Sequence, residues 1–301
     1  PLRDGINGVV LDRFLHALTE HAQALGYRIM LFTAQDDAGE IDGYEQLIAA
    51  HEIDAFVLSS THHGDRRTAW LRERGLRFVT FGRPWGDEDA HDWVDVDGSV
   101  GTAAATEHLL EQGHRRIGFV GWPAGSGVGD DRRAGWARSL AEHGLSAASL
   151  DEAVPDAVEN GLAAAGRLLD RPDPVTALVC ASDSLAVGAL GAVHERGLVP
   201  GRDVAIVGFD DTVLAHALGL SSVAQPIDAV AAACVRRLVA LLDPTPTSTD
   251  STALLAPSLV VRASSTRRAT DPTSASASTH TPTPTPTEPG DASGTDQGAP
   301  A

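Results

Sequence analysis

Apolar positions recur along most of the chain in alternating helical and strand rhythms. Val10, Phe14, Ala17, Leu18, His21 and Leu25 keep a three- and four-residue spacing that stops at Gly26, a helix C-cap signal. The apolar run 27–32 predicts a strand, 40–50 a helix, 55–58 a strand, 65–74 a helix closed by Gly75, and 78–81 a strand. Further strands are predicted at 93–96, 117–120, 177–180 and 204–209, with a last strand-like piece over 254–261. Helices are predicted at 99–112, closed by Gly113, and near 130–143, 158–169, 182–196 and 227–242.

Short strands alternating with helices of ten to fifteen residues build βαβ units and hence parallel sheets. Right-handed crossovers then gather the strand C-termini on one edge, where open α/β sheets bind ligands. The strands are too many for one open sheet with short connections. Two sheets in tandem, each about half the chain, are expected.

Composition refines this picture at the ends and on the surface. From Ser264 onward the chain is Ser, Thr, Pro, Ala and Gly, with too little apolar surface to offset ordering entropy, so 264–301 is expected to be a disordered tail. Net charge is −18, from 41 acidic and 23 basic residues, and every Lys/Arg position is Arg. Such a surface repels phosphate backbones, so these residues are not expected to grip nucleic acid themselves. No apolar run is long enough to span a bilayer. Cys180 and Cys234 lie in apolar stretches without metal-ligand spacing and read as small buried hydrophobes, which suits a reducing cytoplasm. The chain opens on Pro1 rather than Met, so upstream residues are expected.

Several motifs follow one another in a telling order. Val94-Asp95-Val96-Asp97-Gly98-Ser99-Val100-Gly101 is followed by Glu107-His108-Leu109-Leu110-Glu111-Gln112-Gly113-His114-Arg115-Arg116-Ile117-Gly118-Phe119-Val120-Gly121. Then come Arg132-Arg133-Ala134-Gly135-Trp136, Ala181-Ser182-Asp183-Ser184-Leu185-Ala186-Val187-Gly188-Ala189, Val204-Ala205-Ile206-Val207-Gly208-Phe209-Asp210-Asp211, and Val223-Ala224-Gln225-Pro226. Together they resemble the LacI/GalR family of transcription regulators, from near residue 1 to about residue 263. The resemblance implies an α/β fold of periplasmic-binding-protein-like type I: two Rossmann-like lobes with parallel sheets, joined by three chain crossings. It implies lobes of 1–112 with 226–250 and of 113–225 with 251–263. It also implies a homodimer, a small-molecule effector between the lobes (a sugar is the expected class), and operator DNA contacted through an N-terminal helix-turn-helix. That headpiece and the first strand of the first lobe are expected to lie outside this chain.

On this resemblance the effector-binding candidates are Asp97, Trp122, Arg132, Ser182, Asp210 and Gln225. Most have an ordinary alternative. Asp97 and Ser182 precede helices and suit N-caps; many family members have Asn at the Ser182 position. Asp210-Asp211 suits a turn, with Asp210 the ligand candidate of the two. Arg132 stands among Asp130, Asp131 and Arg133, as a surface arginine would. Trp122 follows a strand and is the expected stacking residue. Trp85 and Trp93 are weaker candidates, and Trp136 on a helix reads as core.

Other features carry less. The glycines at 125, 127 and 129 lack G-x-G-x-x-G spacing, and His62-His63 with Asp65 lack a well-spaced third ligand, so neither cofactor nor metal is expected. No nucleophile-elbow, H-E-x-x-H or P-loop spacing occurs, and no enzyme activity is expected. The expected function is the ligand-sensing core of a cytoplasmic LacI/GalR-type regulator. The alternative, sharing the same fold, is an exported sugar-binding protein of an ABC transporter.

Overall fold

The computed structural model describes residues 8–50, 53–86, 91–243 and 252–266. Its first part runs α1 (Gly8–Ala24), α2 (Asp37–Ala49), β1 (Phe56–Ser59), α3 (Arg66–Glu73), β2 (Phe78–Phe81) and β3 (Trp93–Val96). Then follow α4 (Gly98–Glu111), β4 (Ile117–Gly121), α5 (Val128–Glu142), β5 (Asp151–Ala153), α6 (Val158–Leu169), β6 (Ala177–Cys180), α7 (Asp183–Glu195) and β7 (Ala205–Phe209). The remainder is α8 (Val213–Ala217), β8 (Ser221–Ala224), α9 (Ile227–Leu242), β9 (Thr252–Leu255) and β10 (Ser258–Val260).

Two sheets result. One is parallel, in the order β1-β2-β3-β9; the other runs β10-β8-β7-β6-β4-β5 and is parallel except for β10, which pairs antiparallel with β8. β4, β6 and β7 are buried at every residue, as parallel strands with both faces covered by helices must be. The chain crosses between the sheets three times: from β3 to α4, from β8 to α9, and from β9 to β10. These crossings bring the C-terminal strand ends of both sheets to one seam.

Four expectations need correction. The run 27–32 forms no strand. β1 pairs with β2 alone, so this apolar stretch has no neighbour to complete a ladder, and a strand exists only through its pairing. Between the two lies an apolar groove of about 350 Å³, lined by Phe14, Leu18, Ile29, Phe56, Val57 and Leu238 among others. The piece at 254–261 divides into β9 and β10, which belong to different sheets, so β9 leaves the lobe assigned to 251–263.

The lobe boundary at 112 also moves. Ala105, Leu109 and Leu110 of α4 join the second sheet's core, which places α4 with that lobe rather than the first. Ser264 and Ser265 are buried, the Ser264 hydroxyl donating to Ile206 O at 2.6 Å, so the packed chain continues past 263. Residues 267–301 of the expected tail lie outside the described residues. Cys180 and Cys234 are buried in separate cores as free thiols.

Candidate functional site

Asp210 directly follows β7, the position from which a parallel strand presents a side chain to a ligand. Its φ is +110° and that of Asp211 is +47°, conformations that side-chain-bearing residues adopt only under constraint. The constraint comes from two sides. Asp210 N donates to Val223 O at 2.8 Å. Asp183, at the start of α7, accepts from Thr212 N and Thr212 Oγ1 at 2.8 Å and from Ser222 Oγ at 2.6 Å. Gly208 allows this approach, because a Cβ there would lie 2.3 Å from Asp183 Oδ1.

Arg132 arrives from α5, buried to 6% exposure. Its Nη1 donates to Ala181 O at 2.5 Å and lies 3.7 Å from Asp210 Oδ1. The guanidinium carbon stands 3.7 Å over the Phe209 ring and 5.2 Å from the Trp122 ring centre. Gln225 Nε2 donates to Asp210 Oδ1 at 2.7 Å. Burial pushes the Asp210 carboxyl up to about 7, with Asp183 and Asp156 adding to the rise while Arg132 and Gln225 oppose it. Burial also pulls the Arg132 guanidinium below its usual range, against the pull of Asp210. Arg132 Nε is buried without a hydrogen-bond partner, an orphaned donor that costs free energy unless something accepts from it.

Four of the six candidates therefore meet: Trp122, Arg132, Asp210 and Gln225. Ser182 lies beside them with its hydroxyl already committed. It caps α7 by accepting from Leu185 N and donates to Asp156 Oδ1 at 2.5 Å. Asp97 is the N-cap of α4, accepting from Val100 N at 2.9 Å. The next residue, Gly98, packs on the site, where a Cβ would sit 2.9 Å from Arg132 Cγ. Trp136 is fully buried, stacked on Phe119 at 5.4 Å, and Trp93 is buried within β3.

Three further residues were not foreseen. Phe209 was read only as the end of a strand. Asp156 follows β5, a three-residue strand of sequence Asp-Glu-Ala that carries no apolar signal. Burial raises the Asp156 carboxyl, while Ser182, the Trp122 indole and Arg132 work to lower it. Arg83 follows β2 and bridges the sheets: its Nε holds Asp95 of β3 at 2.9 Å and its Nη2 holds Asp131 of α5 at 2.8 Å. Its place two residues past the end of β2 was the available signal.

The glycine loop at 125–129 and the His62 cluster are tied into the fold. Gly125 N donates to Asp130 Oδ2 and Gly129 N to Ser126 Oγ, so these loop amides are taken up within the loop itself. The Trp85 ring covers Gly127, whose Cβ position lies 2.5 Å from it. Asp37, His62 and Asp65 bring metal-type ligand atoms within 4.8 Å of one another. Asp65, however, gives both oxygens to Arg67, at 3.0 and 2.7 Å, and Arg67 also holds Glu40 at 2.9 Å. The trio is part of an ion-pair network centred on that arginine.

Residues 106–265 match the periplasmic binding protein-like domain. The HTH-type transcriptional regulator AglR of Rhizobium meliloti (strain 1021) is 31% identical over 71% of this chain and 60% of its own length. A regulatory protein of the LacI family from Chloroflexus aggregans superposes with a TM-score of 0.81 at 37% identity, covering 85% of this chain and 92% of that one. A complex of the transcriptional regulator CelR with cellobiose gives a TM-score of 0.76 at 30% identity, covering 85% and 79%. The chain thus spans about 60% of the length of a full-length regulator such as AglR. Among the described residues no helix is long and apolar enough to cross a membrane. With its motifs, two-sheet topology and these likenesses in agreement, the chain belongs to the LacI/GalR family, of which it forms the effector-binding core.

Proposed function

We propose that this core senses a sugar in the site built by Arg132, Asp210, Gln225 and Trp122, and thereby changes the operator affinity of the whole regulator. One observation carries the reading. A paired carboxylate and guanidinium, with an adjacent amide, lie buried against the Trp122 and Phe209 rings. Vicinal hydroxyls both donate and accept, so they match such a set, and aromatic faces suit the C–H surface of a pyranose. The cellobiose bound by CelR supports the sugar class.

In this reading the protein works in the cytoplasm as a homodimer, contacts DNA through a separate helix-turn-helix, and catalyses no reaction. Exposed Val213, Leu214 and Leu218 on and beside α8 support a second copy as partner, because apolar clusters of this kind mark contact surfaces. The effector acts by preferring one arrangement of the lobes, and only that difference in affinity can move the balance. An exported binding protein shares the fold, but the named relatives are regulators and favour the first reading.

The test is isothermal titration of the protein with a carbohydrate panel, repeated on Arg132→Ala and Asp210→Ala. At least one sugar is expected to bind, and each variant to lose at least about tenfold in affinity with the fold retained by circular dichroism. Absence of any sugar binding defeats the reading, and unchanged binding by both variants defeats the site assignment.

A further inference from the structure

Arg132 is surrounded by more acid than base. Asp210, Asp95, Asp156 and Asp131 all bear on its charge. Asp95 and Asp131 are held by Arg83, at 2.9 and 2.8 Å, so that second guanidinium is already engaged by two carboxylates. An effector reaching Arg132 therefore meets Asp210 and Asp156 as well. Arg132 itself is partly committed, with Nη1 on the Ala181 carbonyl and 3.7 Å from Asp210. Its buried Nε has no hydrogen-bond partner, so the arginine keeps donor capacity for a ligand oxygen, and what decides against an anion is the acid around it.

Asp156 is the second carboxylate that acts on Arg132 without being held by Arg83. It stands on the loop before α6, with Oδ1 accepting from Ser182 at 2.5 Å, which fixes the carboxylate next to the Trp122 indole. A hydroxyl can donate to the carboxylate oxygens that remain. A charged carboxylate repels an anionic oxygen, and the low effective dielectric of a buried site strengthens that repulsion.

Resting on the sugar-sensing reading above, we propose that the site selects uncharged polyols and turns away their phosphorylated or carboxylated counterparts, with Asp156 as the side chain that sets the discrimination. The pairing of two carboxylates with one engaged arginine is the juxtaposition that does this. Replacing Asp156 by a neutral side chain of similar shape removes one repelling charge and leaves the Ser182 hydrogen bond available.

The test titrates the protein with matched pairs: each neutral sugar of the panel against its 6-phosphate and its uronic acid. Neutral members are expected to bind at least about tenfold tighter than their anionic partners. Asp156→Asn and Asp156→Ser are each expected to shrink that ratio by roughly fivefold or more. An anionic member that binds as tightly as its neutral partner overturns the proposal and leaves the sugar reading intact. A ratio unchanged in both variants overturns the role of Asp156. If no sugar of either kind binds, the sugar reading fails and takes the proposal with it.

Discussion

Arg83 joins Asp95 to Asp131 across the seam between the two sheets, with one nitrogen on each carboxylate at 2.9 and 2.8 Å. Asp95 belongs to β3, at the first crossing, and Asp131 precedes the site arginine Arg132. Asp131 also accepts from Ser99 N at 3.0 Å, which ties α4 to the same point. Burial raises the Asp95 carboxyl, and Arg83, together with the Val96 amide, works against that rise. Removing one member of a buried pair leaves the other charge unsolvated. Arg83→Ala should therefore lower unfolding free energy by roughly 3 kcal/mol in urea titration. Adding Asp95→Asn to that variant should restore part of the loss. A shift below about 1 kcal/mol would show that water screens the bridge.

Gly135 accounts for the Arg-x-x-Gly motif in steric terms. It faces α4 one turn beyond Arg132, and a Cβ there would sit 2.0 Å from Ser99 O and 2.4 Å from Thr102 Oγ1. These are largely backbone contacts that no rotamer change relieves. Thr102 Oγ1 also donates to Arg132 O at 2.6 Å, so separating the helices moves the arginine. Gly135→Ala is expected to cost about 2–3 kcal/mol of stability. It should also weaken effector binding, because Arg132 follows α5. Thermal unfolding and titration on the same preparation read both effects. A stable variant with full affinity would mean that α4 and α5 can part without disturbing the site.

Asp183 acts on the site at one remove. Its three hydrogen bonds anchor Thr212 and Ser222; the constrained Asp210 and Asp211 directly precede Thr212, and Asp211 N donates to Ser222 Oγ at 3.0 Å. Asp183→Ala strips all three and should cost about 2–4 kcal/mol. Asp183→Asn keeps an oxygen for Thr212 and can donate to a turned Ser222 hydroxyl, so its cost should be less than half of that. If Asp183 positions Asp210, effector affinity should fall in the same order, Ala before Asn. Equal affinities in the two variants would assign Asp183 to stability alone.

The strands buried on both faces were legible in the sequence as continuous apolar runs, and β4, β6 and β7 fall where those runs predict them. So were the positions just past strand ends, where Trp122, Asp210 and Gln225 stand, and Arg132 joins them from the first turns of α5. What sequence cannot separate is an aspartate that caps a helix from one that faces a ligand, since both precede the helix. At Asp97 the cap bond to Val100 N is what the structure finds. Pairing was equally hidden: 27–32 has the composition of a strand, but its partner must come from elsewhere in the chain. Asp156 escaped notice because its strand is short, polar and on the sheet edge.

The Asp210 carboxyl gives the protein a pH dependence whose sign can be worked out. Its ordinary value is 3.8, and burial lifts it to about 7 in the fold. A group whose folded value is raised contributes stability that is complete below the unfolded value and is lost as pH climbs through the folded one. Wild type should therefore lose stability relative to Asp210→Asn between about pH 4 and pH 7, and the gap should level off above that. Sugar hydroxyls, by contrast, donate to the charged carboxylate, so effector affinity should rise with pH over the same window, by up to about tenfold per unit below the folded value. Stability and affinity thus run in opposite directions from a single titration. Differential scanning calorimetry and isothermal titration at half-unit steps would follow both. A flat affinity profile in wild type, matching that of Asp210→Asn, would place the effector away from this carboxylate.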